Sequence, residues 1–320
     1  TQYLGFIVLP LVLLAVVVPF LLRADASARR IFTVYEAESS IKDRPGARDL
    51  EPADAAGRVV FEDVTFAFTR ADGTLEPKPA LRKINLTLEP GERVGILGAT
   101  GSGKTALVNL LPRFYDVTSG RITIDGIDVR DITKDSLRRT VGIALQEALL
   151  FRGSVRSNLS FAAVDEDQER LEAAARAADA YGFVTNLPEK WDSPVARRGY
   201  NFSGGQRQRL SMARTLNAQP RVLVLDDSTS ALDVATESRV QAAIPQFATD
   251  LTTIYVAQRI SAVIELDRVL LMDGGEIVAE GSHDDLLATS DLYRQIYESQ
   301  LGPIEDAPTH EPAADEGGAQ

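Results

Sequence analysis

The chain has 320 residues, of which 44% are hydrophobic and 25% are charged, so it can form one large domain or two ordinary ones. A formal net charge of −12 argues against a nucleic-acid-binding protein, whose affinity comes from clustered Lys and Arg. Cysteine is absent and histidine occurs twice, which excludes disulfides, thiolate zinc sites and a histidine-based nucleophile triad. Any metal is expected to be a hard ion with oxygen ligands.

Residues 1–43 are predicted to form a membrane helix with a helical cytoplasmic extension. The 21 residues from Gln2 to Leu22 carry no charge, and as a helix they could span about 30 Å of hydrocarbon. Three arginines follow by residue 30, which favours a cytoplasmic exit. Pro10 and Pro19 are expected to kink this helix. A truncated membrane protein fits this start better than a signal peptide does, and a buried core helix is the alternative.

The rest of the chain divides into three predicted parts. Residues 44–57 indicate a linker, because they hold two prolines, two glycines and little apolar content. From residue 58 to residue 301, short β-branched runs alternate with helical stretches, which is typical of an α/β domain. Residues 302–320 include five acids and no Lys or Arg, so this tail is expected to be disordered.

Two motifs predict a phosphate-binding NTPase. The stretch "GATGSGKT" follows an apolar strand, and its glycines let backbone N–H groups surround phosphates. Lys104 would reach the β- and γ-phosphates, and Thr105 would offer its hydroxyl to Mg²⁺. The stretch "VLVLD" predicts a buried strand ending in Asp226, which would hold Mg²⁺ through water. The nucleotide-binding residues predicted in the loop are Gly98, Thr100, Gly101, Ser102, Gly103, Lys104 and Thr105.

The stretch "NFSGGQRQRL" predicts a second anion-facing element. Ser203 caps a helix that starts with Gly204 and Gly205, followed by Gln206, so bare amides and the positive end of the helix dipole face outward. This stretch resembles the signature motif of ABC-type ATPases, and the resemblance extends over nearly all of residues 58–301. It implies an ABC-type nucleotide-binding domain of the P-loop NTPase fold, with a helical subdomain at about residues 147–220.

The same resemblance implies roles for further residues. Gln146 in "ALQEALLF" resembles the Q-loop glutamine, expected to act in catalysis and on Mg²⁺. Asp233 in "SALD" resembles the D-loop aspartate, and Gln258 in "VAQRIS" occupies the switch position. Phe68 stands where the family stacks an aromatic ring on adenine. ATP and Mg²⁺ are therefore the expected cofactors.

The stretch "LLRADASARRIFTVYE" is similar to the end of the last transmembrane helix of ABC exporters, in which each subunit fuses six helices to one nucleotide-binding domain. The resemblance implies that two ATPs lie between two domains, each held by the P-loop of one chain and the signature of the other. The expected partners are a second exporter subunit, the lipid bilayer and an unknown transported substrate, with no nucleic acid. The expected location is the cell (inner) membrane, with the domain facing the cytoplasm.

Two positions depart from active members of that family. The residue after the magnesium aspartate is Asp227 instead of the glutamate that serves as base, and the switch residue is Gln258 instead of histidine. A base retracted by roughly 1 Å can cost on the order of 100-fold in rate, and a neutral amide stabilises γ-phosphate charge less well than an imidazole. With an intact signature, this pattern resembles the degenerate-site subunit of heterodimeric exporters. A homodimer with two slow but active sites is the alternative.

One further departure concerns coupling. Homodimeric exporters typically show a Gly-Glu-Arg-Gly segment before the signature, and this chain has "ARRG", Ala196 to Gly199. Two other functional classes remain open: a soluble ABC ATPase of DNA repair or translation, disfavoured by the apolar segment and the acidic balance, and a purely regulatory nucleotide-binding module.

Overall fold

The computed structural model describes residues 2–36, 39, 41–70, 72–163, 165 and 167–302. The chain divides into two compact units, Thr1–Lys42 and Asp43–Gln320. The predicted disordered tail lies, from residue 303 onward, outside the described residues.

The first unit contains one long helix, α1 (Gln2–Tyr35), which passes through Pro10 and Pro19 without interruption. Among the described residues, α1 is the one helix that is long enough and apolar enough to cross a membrane. Its most apolar stretch has a mean hydropathy of 2.0, and none of the residues in that stretch is buried. The helical extension was predicted too long, because α1 ends at Tyr35. The Ser39 hydroxyl bonds both the N–H and the carbonyl of Ile41, and such local bonding competes with helix formation.

The second unit is built on three sheets. Its strands are β1 (Val59–Phe66), β2 (Leu81–Leu88), β3 (Arg93–Leu97), β4 (Ser119–Ile124), β5 (Ile127–Asp128), β6 (Val141–Ala144), β7 (Gly153–Ser154), β8 (Pro194–Val195), β9 (Val222–Asp226), β10 (Thr252–Ala257), β11 (Arg268–Asp273) and β12 (Glu276–Gly281). An antiparallel sheet has the order β2-β1-β4-β5, and β7 pairs with β8. The main sheet has the order β12-β11-β3-β10-β9-β6, with all its pairs parallel except β12 with β11.

Helices surround the main sheet. They are α2 (Lys104–Asn109), α3 (Lys134–Thr140), α4 (Val155–Leu159), α5 (Gln168–Ala177), α6 (Tyr181–Thr185), α7 (Gly204–Asn217), α8 (Val234–Phe247), α9 (His283–Thr289) and α10 (Asp291–Leu301). Short 3₁₀ turns occur at Val129–Asp131, Lys190–Asp192, Arg197–Gly199 and Ile260–Ala262. The segment predicted as a helical subdomain contains α4 to α7, and α7 packs against α4 and α5.

The core lies on both faces of the main sheet. Strand β9 shows how the sequence produces this arrangement, since all five of its residues are buried. Leu223 and Leu225 belong to the cluster that includes the helical subdomain, whereas Val222 and Val224 belong to the cluster facing the antiparallel sheet. A parallel strand covered on both faces needs such an unbroken apolar run. The run therefore fixes β9, and the aspartate at its end, in the centre of the domain.

The segment predicted as a linker, residues 44–57, belongs to the second unit and packs within it. The Leu50 side chain is buried, its N–H donates to the Ser136 hydroxyl at 2.6 Å, and its carbonyl accepts from the Thr140 hydroxyl at 2.8 Å. Prolines and glycines shape this segment without freeing it, because α3 supplies partners for its backbone. Such partners come from residues far along the chain, which local composition does not report.

Candidate nucleotide-binding site

The carboxyl ends of neighbouring parallel strands meet at one edge of the main sheet. Strand β10 lies between β3 and β9, and the register pairs Leu97 with Ala257 and Asp226 with Val256. The loops that leave these three strands therefore begin side by side. Gln146, two residues beyond the end of β6, follows the next strand of the same sheet. This edge is where open α/β sheets bind ligands.

A cleft of about 470 Å³ opens at this edge. It brings together most of the residues predicted from the sequence for nucleotide, metal and catalysis, namely Phe68, Thr100, Gly101, Gly103, Lys104, Thr105, Gln146, Asp226, Asp227 and Gln258. Gly98 and Ser102 belong to the same loop but lie behind its surface, and Ser102 is buried. The cleft combines one ammonium group, two carboxylates, three side-chain amides and two aromatic rings, which suits a phosphorylated ligand with a planar base.

The loop before α2 curls around the buried Lys104 side chain. The Lys104 ammonium donates to the Gly98 carbonyl at 2.7 Å. Gly103 has φ 106°, and a Cβ there would lie 2.9 Å from the Ala80 carbonyl oxygen. A Cβ at Gly98 would lie 2.3 Å from the Met272 carbonyl oxygen. Glycine is therefore required at both positions for this loop to close around the ammonium.

The two acids that follow β9 differ in environment. Asp226 is 2% exposed, and its Oδ1 accepts from the Thr105 hydroxyl at 3.3 Å. Asp227 has left-handed backbone with φ 47°, and it faces the cleft more openly. Its Oδ2 accepts from Gln146 Nε2 at 3.1 Å and from Gln258 Nε2 at 3.3 Å. The structure therefore joins the three residues predicted as catalytic through one carboxylate oxygen.

The aromatic wall of the cleft contains a residue that sequence reasoning missed. Tyr115 lies with its ring centroid 5.4 Å from that of Phe68, at 89° to it, and Phe66 supports both rings from the core. Phe68 and Tyr115 are each about 40% exposed. Asn109, at the end of α2, also lines the cleft. The pattern around Tyr115 contains no periodicity or spacing that points to the cleft, so only the fold reveals it.

The signature segment lies at the start of α7. Ser203 caps this helix, because Gln206 N–H donates to the Ser203 hydroxyl at 3.2 Å and the Gln206 side chain accepts from Ser203 N–H at 2.9 Å. Within the described residues, Ser203 to Gln206 do not line the cleft. Asp233 caps α8 by accepting from Thr236 N–H at 2.9 Å. The predicted signature and D-loop residues are thus placed on helix starts outside the cleft.

Residues 81–230 match the model of the ABC transporter family. The chain contains an ABC transporter nucleotide-binding domain. The chain is similar to an ATP-dependent lipid A-core flippase of Syntrophus aciditrophicus, with 40% identity over 276 residues, which cover 86% of this chain and 44% of the relative. It is also similar to the ABC transporter ATP-binding protein YfiB of Bacillus subtilis, with 40% identity over 288 residues, 89% of this chain and 48% of the relative.

The chain is also similar to a solved structure. A structure of a bacterial Atm1-family ABC exporter with ATP bound matches with a TM-score of 0.79 and 33% identity, over 89% of this chain and 48% of that one. The predicted fold class, an α/β ABC domain preceded by one apolar helix, is confirmed. The chain spans less than half the length of these three relatives.

Burial shifts the pKa values of the charged side chains in the cleft of the ABC domain. Burial lowers the pKa of the Lys104 ammonium, and the carboxylates of Asp227 and Asp226 oppose that change. Burial raises the pKa of Asp226, although the hydrogen bond from Thr105 opposes the rise. Burial also raises the pKa of Asp227, with Lys104 as the main opposing charge. Burial therefore disfavours the charged form of each group, and a bound ligand of opposite charge would stabilise that form.

The segment "ARRG" before the signature of the ABC domain presents two arginines. Arg197 and Arg198 are exposed, and Arg198 has φ 57°. Gly199 is buried with φ 68°, and a Cβ there would lie 2.9 Å from Leu150 Cδ1. The final glycine of the family pattern thus has a steric reason in this chain, while the exposed position that is typically glutamate carries the opposite charge.

Proposed function

We propose that this chain is an ATP-binding subunit of an ABC exporter. It binds Mg-ATP at its own cleft, hydrolyses it slowly there, and donates its intact signature to the catalytic site of a partner subunit. The observation that carries the proposal is the carboxylate of Asp227, which stands where active relatives have a longer glutamate and which is held by two neutral amides.

The cleft fits a magnesium nucleotide. The buried Lys104 ammonium and the amides of its loop supply positive potential for phosphates, and Phe68 offers a ring face for adenine. Thr105 and Asp226 are already adjacent and provide the hard oxygen ligands that Mg²⁺ prefers. The side-chain N–H of Gln146 donates to the Asp227 carboxylate, so the amide oxygen of Gln146 is available to bind the metal. When bound, Mg²⁺ would neutralise charge on the β- and γ-phosphates.

Reach limits Asp227 as a base. Its side chain is one methylene shorter than glutamate, which retracts the carboxylate by roughly 1 Å and can cost on the order of 100-fold in rate. Its Oδ2 is occupied by the amides of Gln146 and Gln258, which stabilise the charged carboxylate. Gln258 cannot become cationic, so it offers less stabilisation to the developing γ-phosphate charge than an imidazole would.

The signature favours action on another chain's nucleotide. The capping box of α7 uses the N–H groups of Ser203 and Gln206, so the N–H groups of Gly204 and Gly205, which have no intrahelical partner, can face an anion. Because Ser203 to Gln206 lie outside the chain's own cleft, a nucleotide that they contact would be held by a second copy or a partner. The degenerate cleft and the intact signature together favour a heterodimer, in which this chain completes the partner's site.

The membrane part of the proposal rests on α1. Its apolar residues from Pro10 onward are exposed along the helix, which suits a lipid environment. Arginines 23, 29 and 30 follow the apolar run and favour a cytoplasmic side for the nucleotide-binding domain. The bilayer of the cell (inner) membrane and a second exporter subunit are therefore the proposed partners.

Two variants in the native complex test this division of labour at saturating Mg-ATP. Gly204→Asp places a carboxylate where γ-phosphate charge would develop in the partner's site, and should abolish nearly all turnover. A Cβ at Gly204 meets only the Ala231 Cβ at 3.5 Å, so the change is compatible with the fold. Asp227→Asn should leave most of the turnover, because it alters the slow site. Gly182→Asp, a position with open space, is the matched control.

The competing arrangement is a homodimer with two equivalent sites. In that case Asp227→Asn removes the base from both sites and stops turnover as completely as Gly204→Asp does. Equal inactivity of the two variants, with Gly182→Asp active, would show that Asp227 is a working base and that the asymmetric proposal is wrong.

A further inference from the structure

We infer that Gln300, in the last turn of α10, is a positioning residue for Gln258 and thereby controls how well the cleft distinguishes ATP from ADP. The inference rests on the proposed function, in which Gln258 faces the γ-phosphate. It assigns a role to a helix that follows every family motif in the chain. It depends on two hydrogen bonds that connect this helix to the loop after β10 that carries Gln258, here called the switch loop.

The Gln300 side chain bonds the backbone on both sides of Arg259. Its Oε1 accepts from Ile260 N–H at 2.8 Å, and its Nε2 donates to the Gln258 carbonyl at 3.1 Å. The donor must face the carbonyl and the acceptor must face the N–H, so the orientation of the amide is determined by its partners. One side chain therefore sets the backbone direction of the residue that carries the switch amide.

A second anchor holds the other side of this loop. Arg259 Nη2 donates to the buried Glu237 carboxylate on α8 at 3.0 Å. Gln258 itself has one side-chain hydrogen bond in the described part of the chain, from its Nε2 to Asp227 at 3.3 Å. The direction of the Gln258 side chain is thus governed mainly by its backbone, which α10 holds directly and α8 holds through the Arg259 side chain.

The helix that carries Gln300 is held at its first turn and borders a cavity along its length. The buried Tyr293 hydroxyl lies 2.8 Å from His283 Nδ1 on α9, which secures the first turn of α10. A cavity of about 350 Å³ lies along α10, between this helix and the ends of β3 and β11, and its lining includes Leu292, Ile296, Gln300 and Gln258. Loss of the Gln300 contacts can therefore release the switch loop without unfolding α10.

A binding experiment on the whole chain in detergent micelles tests this inference. The dissociation constants of a non-hydrolysable ATP analogue and of ADP are measured by equilibrium dialysis with Mg²⁺, and their ratio reports the γ-phosphate contact. Gln300→Met keeps side-chain length and helix propensity but removes both hydrogen bonds. We expect it to reduce the preference for the ATP analogue by roughly 3–10-fold, as for the loss of one or two hydrogen bonds.

Three further variants complete the design. Gln258→Ala should reduce the preference, and the double variant with Gln300→Met should be no worse than Gln258→Ala, because both act through one contact. Gln295→Met makes the same change on an exposed position of α10 and should match the wild type. A purely structural role for Gln300 would weaken the binding of ADP and of the ATP analogue equally, so both dissociation constants would rise while their ratio stayed at the wild-type value.

Each remaining outcome decides the matter. A wild-type ratio in Gln300→Met, an equal loss of both nucleotides, or a wild-type ratio in Gln258→Ala would each overturn the inference. The first two results leave the proposed function intact. Normal ATP binding by Lys104→Ala would instead refute the proposed function, because that variant removes the ammonium of the phosphate loop.

Discussion

The cleft and the start of α7 both suit phosphate, but they obtain their positive potential differently. The cleft places the ammonium of Lys104 beside two carboxylates, whereas Ser203 to Gln206 contain no charged side chain and present only amides and a helix dipole. We propose that the cleft binds a nucleotide with this chain's residues alone. In the proposed function the signature acts only on a nucleotide that another chain holds, so defects in the two regions should appear in different assays.

The two regions also differ in their effect on the stability of the fold. The carboxylate of Asp226 is buried, and burial raises its pKa, so the charged form is disfavoured. The signature is stabilised locally, since Ser203 and Gln206 satisfy each other's backbone. The buried charge of Asp226 therefore destabilises the ligand-free cleft, whereas the predicted signature segment is satisfied by its own hydrogen bonds.

The largest expected effect separates binding from every other property. Lys104→Ala should weaken Mg-ATP binding at this cleft by at least about 100-fold, because it removes charge-assisted bonds to two phosphates. Equilibrium dialysis with labelled ATP measures this loss, and circular dichroism checks the fold. Lys78→Ala, an exposed lysine outside the cleft lining, is the control. Unchanged binding in Lys104→Ala would contradict the phosphate-loop assignment.

A gain of function tests the slow half of the comparison. Asp227→Glu restores the missing methylene, and should raise the ATP turnover of this chain alone by up to about 100-fold. The chain's own intact signature can complete the site in a second copy at high protein concentration. Asp227→Asn keeps a hydrogen-bond acceptor without a base and should stay at background. Turnover of Asp227→Glu equal to that of the wild type would show that reach does not limit this site.

The sequence predicted the main-sheet edge well and the long-range contacts poorly. Apolar strands followed by glycines or acids indicate residues at carboxyl strand ends, which is why the phosphate loop and Asp226 lie together as expected. Tyr115, the Leu50 anchor and Gln300 were missed, because each depends on a partner distant in sequence. No local pattern reports such a partner. The roles of the site residues stay predictions until the variants are measured.

A smaller effect is expected on the aromatic side of the cleft. Phe68→Ala should weaken ATP binding by about tenfold through lost stacking, and Tyr115→Ala should weaken it less, because that ring stands edge-on to Phe68. Phe114→Ala removes a neighbouring exposed ring that does not line the cleft, and should bind normally. Isothermal titration with ATP checks all three. A larger loss in Tyr115→Ala than in Phe68→Ala would reassign the adenine platform to Tyr115.

The smallest effect is on stability, and it has the opposite sign to the effect on function. The folded pKa of Asp226 is raised, so its charge destabilises the nucleotide-free fold at neutral pH, and this penalty shrinks as pH falls from the folded pKa toward the lower unfolded pKa. Asp226→Asn keeps the acceptor for the Thr105 hydroxyl and removes the charge. It should raise Tm by about 2–4 °C at neutral pH, corresponding to roughly 1 kcal/mol.

The pH dependence distinguishes charge burial from better packing in this variant. The Tm difference between Asp226→Asn and the wild type should shrink as pH falls, because the wild-type carboxyl group becomes neutral as well. Thermal unfolding without nucleotide and Mg²⁺, repeated over a range of acidic to neutral pH, measures it. Asp250→Asn, at an exposed position, is the control. A Tm difference that stays constant with pH would mean that the buried charge of Asp226 is not the cause of the lower stability of the wild type.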